Sequence, residues 1–217
     1  MDFLPPSLTA YTEAHTSPES ELLRQLDRDT RAHVMAPRML SGHLQGRFLS
    51  MISWMIRPHR ILELGTYTGY SALCLAEGLA ETGRLITIDQ NEELEDFARS
   101  YWAKSPLNDR IDLRIGSAAD ILPTLTDTFD LVFIDADKRN NKRYYDLVFD
   151  KLRPGGFLLI DNVLWSGKVI DPLKPNDQDT ASVLAFNELV QQDPRVENVL
   201  LPIRDGITIV RKRSGAY

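Results

Sequence analysis

Short apolar runs alternate with longer segments of helical periodicity through the middle of the chain. The apolar runs lie at residues 61–64, 85–88, 111–115, 131–134 and 157–160, and the helical spacing recurs at about 70–80, 91–104, 118–125 and 141–152. Strands that are apolar on both faces and separated by helices are typical of a parallel sheet covered on both sides. Because crossover connections between parallel strands are right-handed, the pattern predicts a doubly wound α/β fold.

Further elements are predicted at the two ends of this alternating region. Helical spacing and a capped start predict helices at about 17–33 and 40–56, whereas residues 1–16 contain prolines and are expected to be irregular. A loop at 163–178 precedes a helix at about 180–192, and the runs 196–203 and 206–212 are close enough for an antiparallel hairpin at the sheet edge. We therefore predict one domain over 1–217, with a helical extension at 1–57 and a sheet core at 58–217.

Composition and charge narrow the classes of function. A net charge of −6 and a pI of about 5.3 oppose general affinity for nucleic acid, although the run KRNNKR at 138–143 is locally basic. The single cysteine, Cys74, excludes an internal disulfide and a cysteine-based metal cluster, and its apolar neighbours predict a core position. The sequence shows no signal-peptide pattern and no apolar run long enough to span a membrane, so we expect a cytoplasmic protein.

The loop after the first apolar run, GTYTG at 65–69, lies where open parallel sheets bind ligands. It is not a dinucleotide fingerprint, because Tyr67 replaces the middle glycine, and it is not a P-loop, because no lysine follows Gly69. A tight strand-to-helix turn is the structural alternative. Asp89, at the tip of the second run, suits either a ribose diol or a helix N-cap. Glu63, inside the first run, needs polar partners if it is buried. Together these residues predict a nucleoside ligand with little or no phosphate.

Acidic residues also follow two later strands. Asp135 ends the run FID, and Asp161-Asn162 ends the run LLIDN. If these strands are neighbours, two carboxylates and one amide oxygen converge at one edge, and such a set suits Mg²⁺, Mn²⁺ or Ca²⁺. The four histidines show no H-x-x-x-H pairing, which disfavours zinc. A helix cap or turn is the alternative role of each aspartate.

The motifs E-L-G-T-Y-T-G-Y-S and I-D resemble those of the class I S-adenosylmethionine methyltransferases. The Y-T-G-Y-S form, with D-A-D-K and D-N-x-L-W, resembles the metal-dependent caffeoyl-CoA and catechol O-methyltransferase family over about residues 37–212. The resemblance implies a Rossmann-like, mostly parallel seven-stranded sheet, S-adenosylmethionine as cofactor and a divalent cation, with Mg²⁺ expected. The family's acidic residue before the first strand has no counterpart in SGHLQGR, and the catechol enzymes' distal acidic substrate contact has none in 163–178.

The resemblance also assigns roles to particular residues. The small loop residues are expected to admit the methionine end of the cofactor, with Ser71 bonding its carboxylate. The positions matched to cofactor contacts are Ser41, Glu63, Gly65, Thr66, Tyr67, Gly69, Ser71, Asp89, Ala118, Asp135 and Asp137. The positions matched to metal ligands are Asp135, Asp161 and Asn162, and the catalytic positions are Lys138, as general base, and Asp135.

The expected reaction is methyl transfer to one oxygen of a vicinal diol on a catecholic or caffeoyl-like small molecule. Trp165 and Tyr144 either line the acceptor pocket or serve packing alone. Some bacterial members of the family act on a hydroxyuridine in transfer RNA, and the KRNNKR run favours that alternative. A nucleoside-binding protein without chemistry and a dehydrogenase are further alternatives. The family resemblance implies a homodimer that uses the N-terminal helices, although SMISWMI at 50–56 is expected to pack mainly in the core.

Overall fold

A computed structural model describes residues 5–215 and contains a single seven-stranded sheet with the strand order β3-β2-β1-β4-β5-β7-β6. The strands are β1 Arg60–Leu64, β2 Arg84–Asp89, β3 Ile111–Ile115, β4 Phe129–Ile134, β5 Leu152–Asp161, β6 Val196–Leu201 and β7 Ile207–Lys212. β1 to β5 pair in parallel, and β7 runs antiparallel to both β5 and β6. The predicted mostly parallel sheet with an antiparallel C-terminal hairpin is confirmed.

Helices cover both faces of this sheet. They are α1 Pro6–Ala14, α2 Glu21–His33, α3 Gly42–Ile56, α4 Tyr70–Ala76, α5 Glu95–Trp102, α6 Ala118–Ile121, α7 Asn141–Phe149 and α8 Gln178–Gln192. Successive residues of β4 point to opposite sides: Leu131 and Phe133 belong to the apolar cluster under α4 and α5, and Val132 belongs to the cluster under α7 and α8. This two-sided burial explains why the strands read as continuous apolar runs. Cys74 is fully buried in the first cluster, as predicted.

Two predictions near the N-terminus are wrong. Residues 6–14 form α1 instead of irregular chain, because Pro6 stands at a first-turn position, where its fixed φ favours the helix and its missing N–H costs nothing; residues 1–4 lie outside the described part. In SMISWMI, Met51, Trp54 and Met55 are exposed instead of packed in the core, at 60%, 51% and 75%, whereas Ile52 and Ile56 are partly buried against it. The face of α3 that packs on α4 carries small residues such as Ser50 and Ser53.

Other elements differ only in length. The helix predicted at 70–80 ends at Ala76, and the one predicted at 118–125 is a short α-helix that continues as the 3₁₀ turn Leu122–Thr124, since Pro123 has no N–H for a helical bond. The predicted loop at 163–178 contains a 3₁₀ segment, Trp165–Ile170.

The N-terminal helices are tied to the sheet core beside the loop at 65–69. The hydroxyl of Tyr101 donates to Asp29, and a buried bond of 3.2 Å joins the hydroxyls of Thr30 and Thr68. Tyr67 donates to the backbone carbonyl of Met35 at 2.9 Å. The segment between α2 and α3 therefore lies over the carboxyl ends of the strands, where it forms one wall of a cavity.

Candidate active site

Both glycines of the loop between β1 and α4 are required by contacts within the protein. Gly65 has a φ of +97°, and a Cβ on it would lie 2.1 Å from the backbone oxygen of Asp135. Gly69 has a φ of +83°, and a Cβ there would lie 2.5 Å from the indole nitrogen of Trp102, which donates to the Gly69 carbonyl at 3.1 Å. Close packing against the end of β4 and against α5 accounts for both glycines. From the sequence alone, an approaching ligand was the expected reason for small residues in this loop. Their contact with a cofactor stays a prediction.

Asp89 organises the same loop from the end of β2. Its Oδ2 accepts the backbone N–H groups of Thr66 and Tyr67, each at 2.8 Å, and its Oδ1 accepts that of Asn91 at 2.9 Å. The cap of the following 3₁₀ turn is Asn91, so Asp89 is not the N-cap. A carboxylate has about four acceptor positions, and three are occupied here, so Asp89 retains capacity for one hydroxyl of the predicted ribose diol while it holds the loop.

Glu63 lies beneath the loop and is completely buried. Thr87 donates to its Oε2 at 2.6 Å, and Thr66 and Thr87 share a further hydroxyl contact of 2.6 Å. Its Oε1 has no hydrogen-bond partner of normal geometry among the described residues. Burial raises the pKa of Glu63 to about 8, against the opposing effect of the Ser71 and Thr87 hydroxyls. The Glu63 carboxyl therefore supports the loop from below, with the Ser71 hydroxyl beside it.

A cavity of about 1540 Å³ opens above the carboxyl ends of β1, β2, β4 and β5. The predicted cofactor residues on its wall are Ser41, Gly65, Thr66, Tyr67, Ser71, Asp89, Ala118, Asp135 and Asp137. The predicted metal and catalytic residues Asp161, Asn162 and Lys138 share this wall, as do Tyr144 and Trp165. Glu63 and Gly69 do not line it. The cavity is thus large enough for a nucleoside cofactor and a second small molecule side by side.

Asp161 and Asp135 lie close together at the ends of two neighbouring strands. Asp161 is 4% exposed, and burial together with the nearby charge of Asp135 raises its pKa to about 6. Lys138 lies 3.0 Å from Asp135 Oδ1. Within residues 5–215 no cluster of three or more histidine, cysteine and carboxylate side chains could hold a metal. The donor set is instead two carboxylates and the amide of Asn162, which fits a hard cation that keeps some water ligands.

Two residues not identified from the sequence support Asp161, one directly and one through the first. Gln45, on α3, donates its amide to Asp161 Oδ2 at 2.6 Å, and Arg204, in the turn between β6 and β7, contacts Gln45. Gln45 is 1% exposed and shares the buried face of α3 with Leu49, four residues on. A polar residue on the apolar face of a predicted helix was the signal that could have found it. Nothing in the sequence indicated Arg204.

The two aromatic candidates of the acceptor pocket have different surroundings. Tyr144 is buried, and its hydroxyl donates to Asp137 Oδ2 at 2.6 Å. Trp165 lies beyond β5 with a φ of +48°, and its indole nitrogen is buried without a hydrogen-bond partner in the described chain. Both line the cavity, so each is placed to contact an acceptor as well as to pack.

Comparisons with known proteins point to one family. Residues 13–213 match the family model described as O-methyltransferase. The chain is 32% identical to a probable caffeoyl-CoA O-methyltransferase of Dictyostelium discoideum, over 95% of this chain and 91% of that protein. It is 35% identical to a catechol O-methyltransferase domain-containing protein of Mus musculus, over 96% of this chain and 82% of that protein.

Solved structures show the same fold. An O-methyltransferase from Bacillus cereus in complex with SAH superposes with a TM-score of 0.87 at 32% identity, covering 95% of this chain and 97% of that one. An SAH-bound methyltransferase from Podospora anserina superposes with a TM-score of 0.88 at 29% identity, covering 98% and 99%. Over the described part of the chain, no helix has the length and apolar character needed to cross a membrane.

Substituting Gly65 by alanine should destabilise the protein far more than substituting Gly42. Both glycines have positive φ, +97° and +71°, but a Cβ on Gly42 meets nothing within 4 Å. We expect Gly42→Ala to cost about 1–2 kcal/mol of unfolding free energy from backbone strain alone. Gly65→Ala should cost about 2 kcal/mol more, because the β4 backbone must move away. Urea unfolding measures both, and equal costs would show that the close approach is not a constraint.

Substituting Glu63 by glutamine should remove a pH dependence of stability. With a folded pKa of about 8 against an ordinary 4.5, Glu63 keeps a proton that the unfolded chain loses. The resulting stabilisation is complete below pH 4.5 and is lost as the pH rises through 8. Between pH 5 and 8 the wild-type unfolding free energy should therefore fall, relative to Glu63→Gln, by up to about 1.4 kcal/mol per pH unit. A constant difference across this range would mean that Glu63 is ionised in the folded protein.

Proposed function

The chain belongs to the O-methyltransferase family, as an S-adenosylmethionine-dependent O-methyltransferase, and we propose that it methylates one oxygen of a vicinal diol with the help of a divalent cation. The acceptor is a catecholic or caffeoyl-like small molecule, and the enzyme acts in the cytoplasm. The observation that carries the proposal is the convergence of Asp135, Asp161 and Asn162 with Lys138 on the wall of one cavity.

The cofactor half of the cavity is the half built by the 65–69 loop. S-adenosylmethionine supplies a methyl group on a sulfonium, together with a ribose diol and an amino-acid end. In the proposal Asp89 accepts one ribose hydroxyl, and Ser71 bonds the carboxylate end. Ser71 lies on the cavity wall, which supports a polar ligand group at this end. The SAH-bound Bacillus cereus structure, which is similar over nearly the whole chain, supports the same choice of cofactor.

Asp135, Asp161 and Asn162 would hold the cation, which we propose to be Mg²⁺, with Mn²⁺ or Ca²⁺ as alternatives. A cation there supplies Lewis-acid stabilisation of the phenolate and a fixed direction for its oxygen. The charges of Asp135 and Asp161 favour a bound cation. The two carboxylates repel each other, and Asp161 is only 4% exposed, so a positive partner would stabilise both.

Lys138 is the proposed proton acceptor for the acceptor's hydroxyl. Lys138 lines the cavity, and because its side chain is only 9% exposed, water has little access to its amino group. Asp135 positions the amino group, and the 3₁₀ turn Lys138–Asn140, capped by Asp137, fixes the backbone beneath it. General-base assistance of this kind contributes about 10²–10⁴-fold to a rate.

The charges around the KRNNKR run favour a small acceptor over transfer RNA. Arg139 pairs with Asp179 at 2.5 Å, and Lys142 pairs with Asp146 at 2.6 Å. With Lys138 bonded to Asp135, most of the positive charge that suggested RNA binding is balanced by neighbouring carboxylates. The phosphates of an RNA backbone would have to compete with these carboxylates for each lysine or arginine side chain.

We also propose that the protein self-associates through α3. Its outward face carries Met51, Trp54 and Met55, each more than half exposed. Exposed apolar side chains grouped on one helix face are typical of contacts between protein copies.

Chelator and an Asp161→Asn variant should both abolish most methyl transfer to caffeic acid. Wild-type protein with S-adenosylmethionine and Mg²⁺ should give product that chelator suppresses, because the cation is bound by Asp161. We expect Asp161→Asn to lose about 100-fold in rate, since loss of groups at a metal site commonly costs that much. Asp146→Asn, at an exposed carboxylate that pairs with Lys142, is the matched control. Product that forms equally well with chelator would refute metal dependence.

Substituting Lys138 by methionine should lower kcat by about 10²–10⁴-fold while the affinity for S-adenosylhomocysteine stays within about threefold. The methionine keeps the length of the side chain but removes its proton acceptor. Stopped-time product assays and calorimetric titration measure the two quantities. A near-normal kcat would leave Lys138 with only its structural pairing to Asp135.

A further inference from the structure

Asp161 is held on both of its carboxylate oxygens by the protein itself. Its Oδ1 accepts the backbone N–H of Asn162 at 2.7 Å, and its Oδ2 accepts the side-chain amide of Gln45 at 2.6 Å. Asp161 and Gln45 are only 4% and 1% exposed, so the bond between them is shielded from bulk water. Each oxygen has a second lone pair left for another partner.

The opposite end of the Gln45 amide faces Arg204. Arg204 Nη1 lies 3.2 Å from Gln45 Oε1, and it also donates to the backbone oxygens of Leu40, at 2.8 Å, and Ser41. A guanidinium has donors and no acceptor, so the amide atom that faces it must be the oxygen. The amide NH₂ group is thereby turned toward Asp161. Without Arg204, the amide could rotate and bring its oxygen against the carboxylate.

The backbone conformation of Arg204 is unfavourable for a residue with a side chain. Its φ is +51°, in the left-handed region, where a residue with a Cβ costs about 1–2 kcal/mol relative to glycine. The turn already contains Gly206, with a φ of +85°. Glycine would suit position 204 better on backbone grounds alone. The acceptors that Arg204 reaches on α3 and at its start are the contacts that a glycine would lose.

Gln45 is not on the wall of the cavity, so it cannot act by touching a substrate. Arg204 is on the wall, but its Nη1 is directed to Gln45 and to the start of α3. We propose that Arg204 and Gln45 are positioning residues that act in series: Arg204 orients the Gln45 amide, and Gln45 holds the Asp161 carboxylate in the orientation that binds the divalent cation. This inference rests on the proposed function, because the cation belongs to that proposal.

A double-mutant cycle, with Mn²⁺ affinity as the measured quantity, tests whether Arg204 and Gln45 act in series. Free Mn²⁺ is followed by its electron paramagnetic resonance signal during titration of the whole protein. We expect Gln45→Leu and Arg204→Gly each to weaken Mn²⁺ binding by about tenfold, the lower end of the usual effect of a residue behind a metal ligand. Because the two act through one bond, the double variant should bind no more weakly than the weaker single variant. Arg204→Lys, which retains a donor, should stay within about threefold of wild type.

Controls separate positioning from folding. Arg204→Gly also relieves the positive φ, so its urea midpoint should not fall with its Mn²⁺ affinity. Arg153→Met removes a comparable cation, one that bonds Asp130 near the opposite end of the sheet, and should leave Mn²⁺ affinity unchanged. S-adenosylhomocysteine affinity, measured on each variant, should change by less than about threefold for Gln45→Leu.

The other possible results distinguish a failure of the positioning role from a failure of the metal site. If wild type binds Mn²⁺ and both single variants bind it within threefold, the positioning role is wrong while the metal site stands. If the double variant loses about a hundredfold, the two residues act independently and the series is wrong. If wild type itself binds no Mn²⁺, the proposed metal dependence fails, and the inference fails with it.

Discussion

Four carboxylates gather at one edge of an apolar sheet, and the rest of the site is built around them. Glu63 lies on β1, Asp89 and Asp161 end β2 and β5, and Asp135 follows β4, four strands that are adjacent in the sheet. Glu63 and Asp161 are buried, whereas Asp89 and Asp135 are partly exposed. Transfer of an ionised carboxylate away from water is costly unless hydrogen bonds or opposite charges replace the water. The elements around this edge are arranged so that each carboxylate receives such partners, and each receives a different kind.

The different partners give the carboxylates different properties. Backbone N–H groups hold Asp89 and tie it to the loop that it shapes. The Thr87 hydroxyl donates to Glu63, and burial raises the pKa of Glu63 to about 8. Asp135 has a lysine, and Asp161 has an amide that an arginine orients. In the proposed function, the end of the cavity at the 65–69 loop receives the cofactor, and the end at Asp135 and Asp161 receives the cation. Methyl transfer to a chelated oxygen needs both ends in one cavity.

Much of this arrangement could be predicted from the sequence, because it depends on residues that stand at strand ends. Two-sided apolar runs identify the parallel strands, and the position of Asp135 and Asp161 just after such runs places both at one edge. The contacts between distant segments could not be predicted in the same way. Gln45 lies 116 residues from Asp161 in the chain, and Arg204 owes its place to the geometry of a hairpin turn. The close fit of Gly69 on Trp102 likewise replaces a ligand contact as the reason for a glycine.

The proposed reaction requires that Asp135, Asp161 and Asn162 bind one divalent cation beside the cofactor. A crystal of the protein grown with S-adenosylhomocysteine and Mn²⁺ would locate the cation through the anomalous scattering of manganese. We expect a single strong anomalous peak at about 2.1–2.3 Å from oxygens of all three side chains. A peak elsewhere in the cavity, or none there with the cofactor product bound, would rule out this cation site.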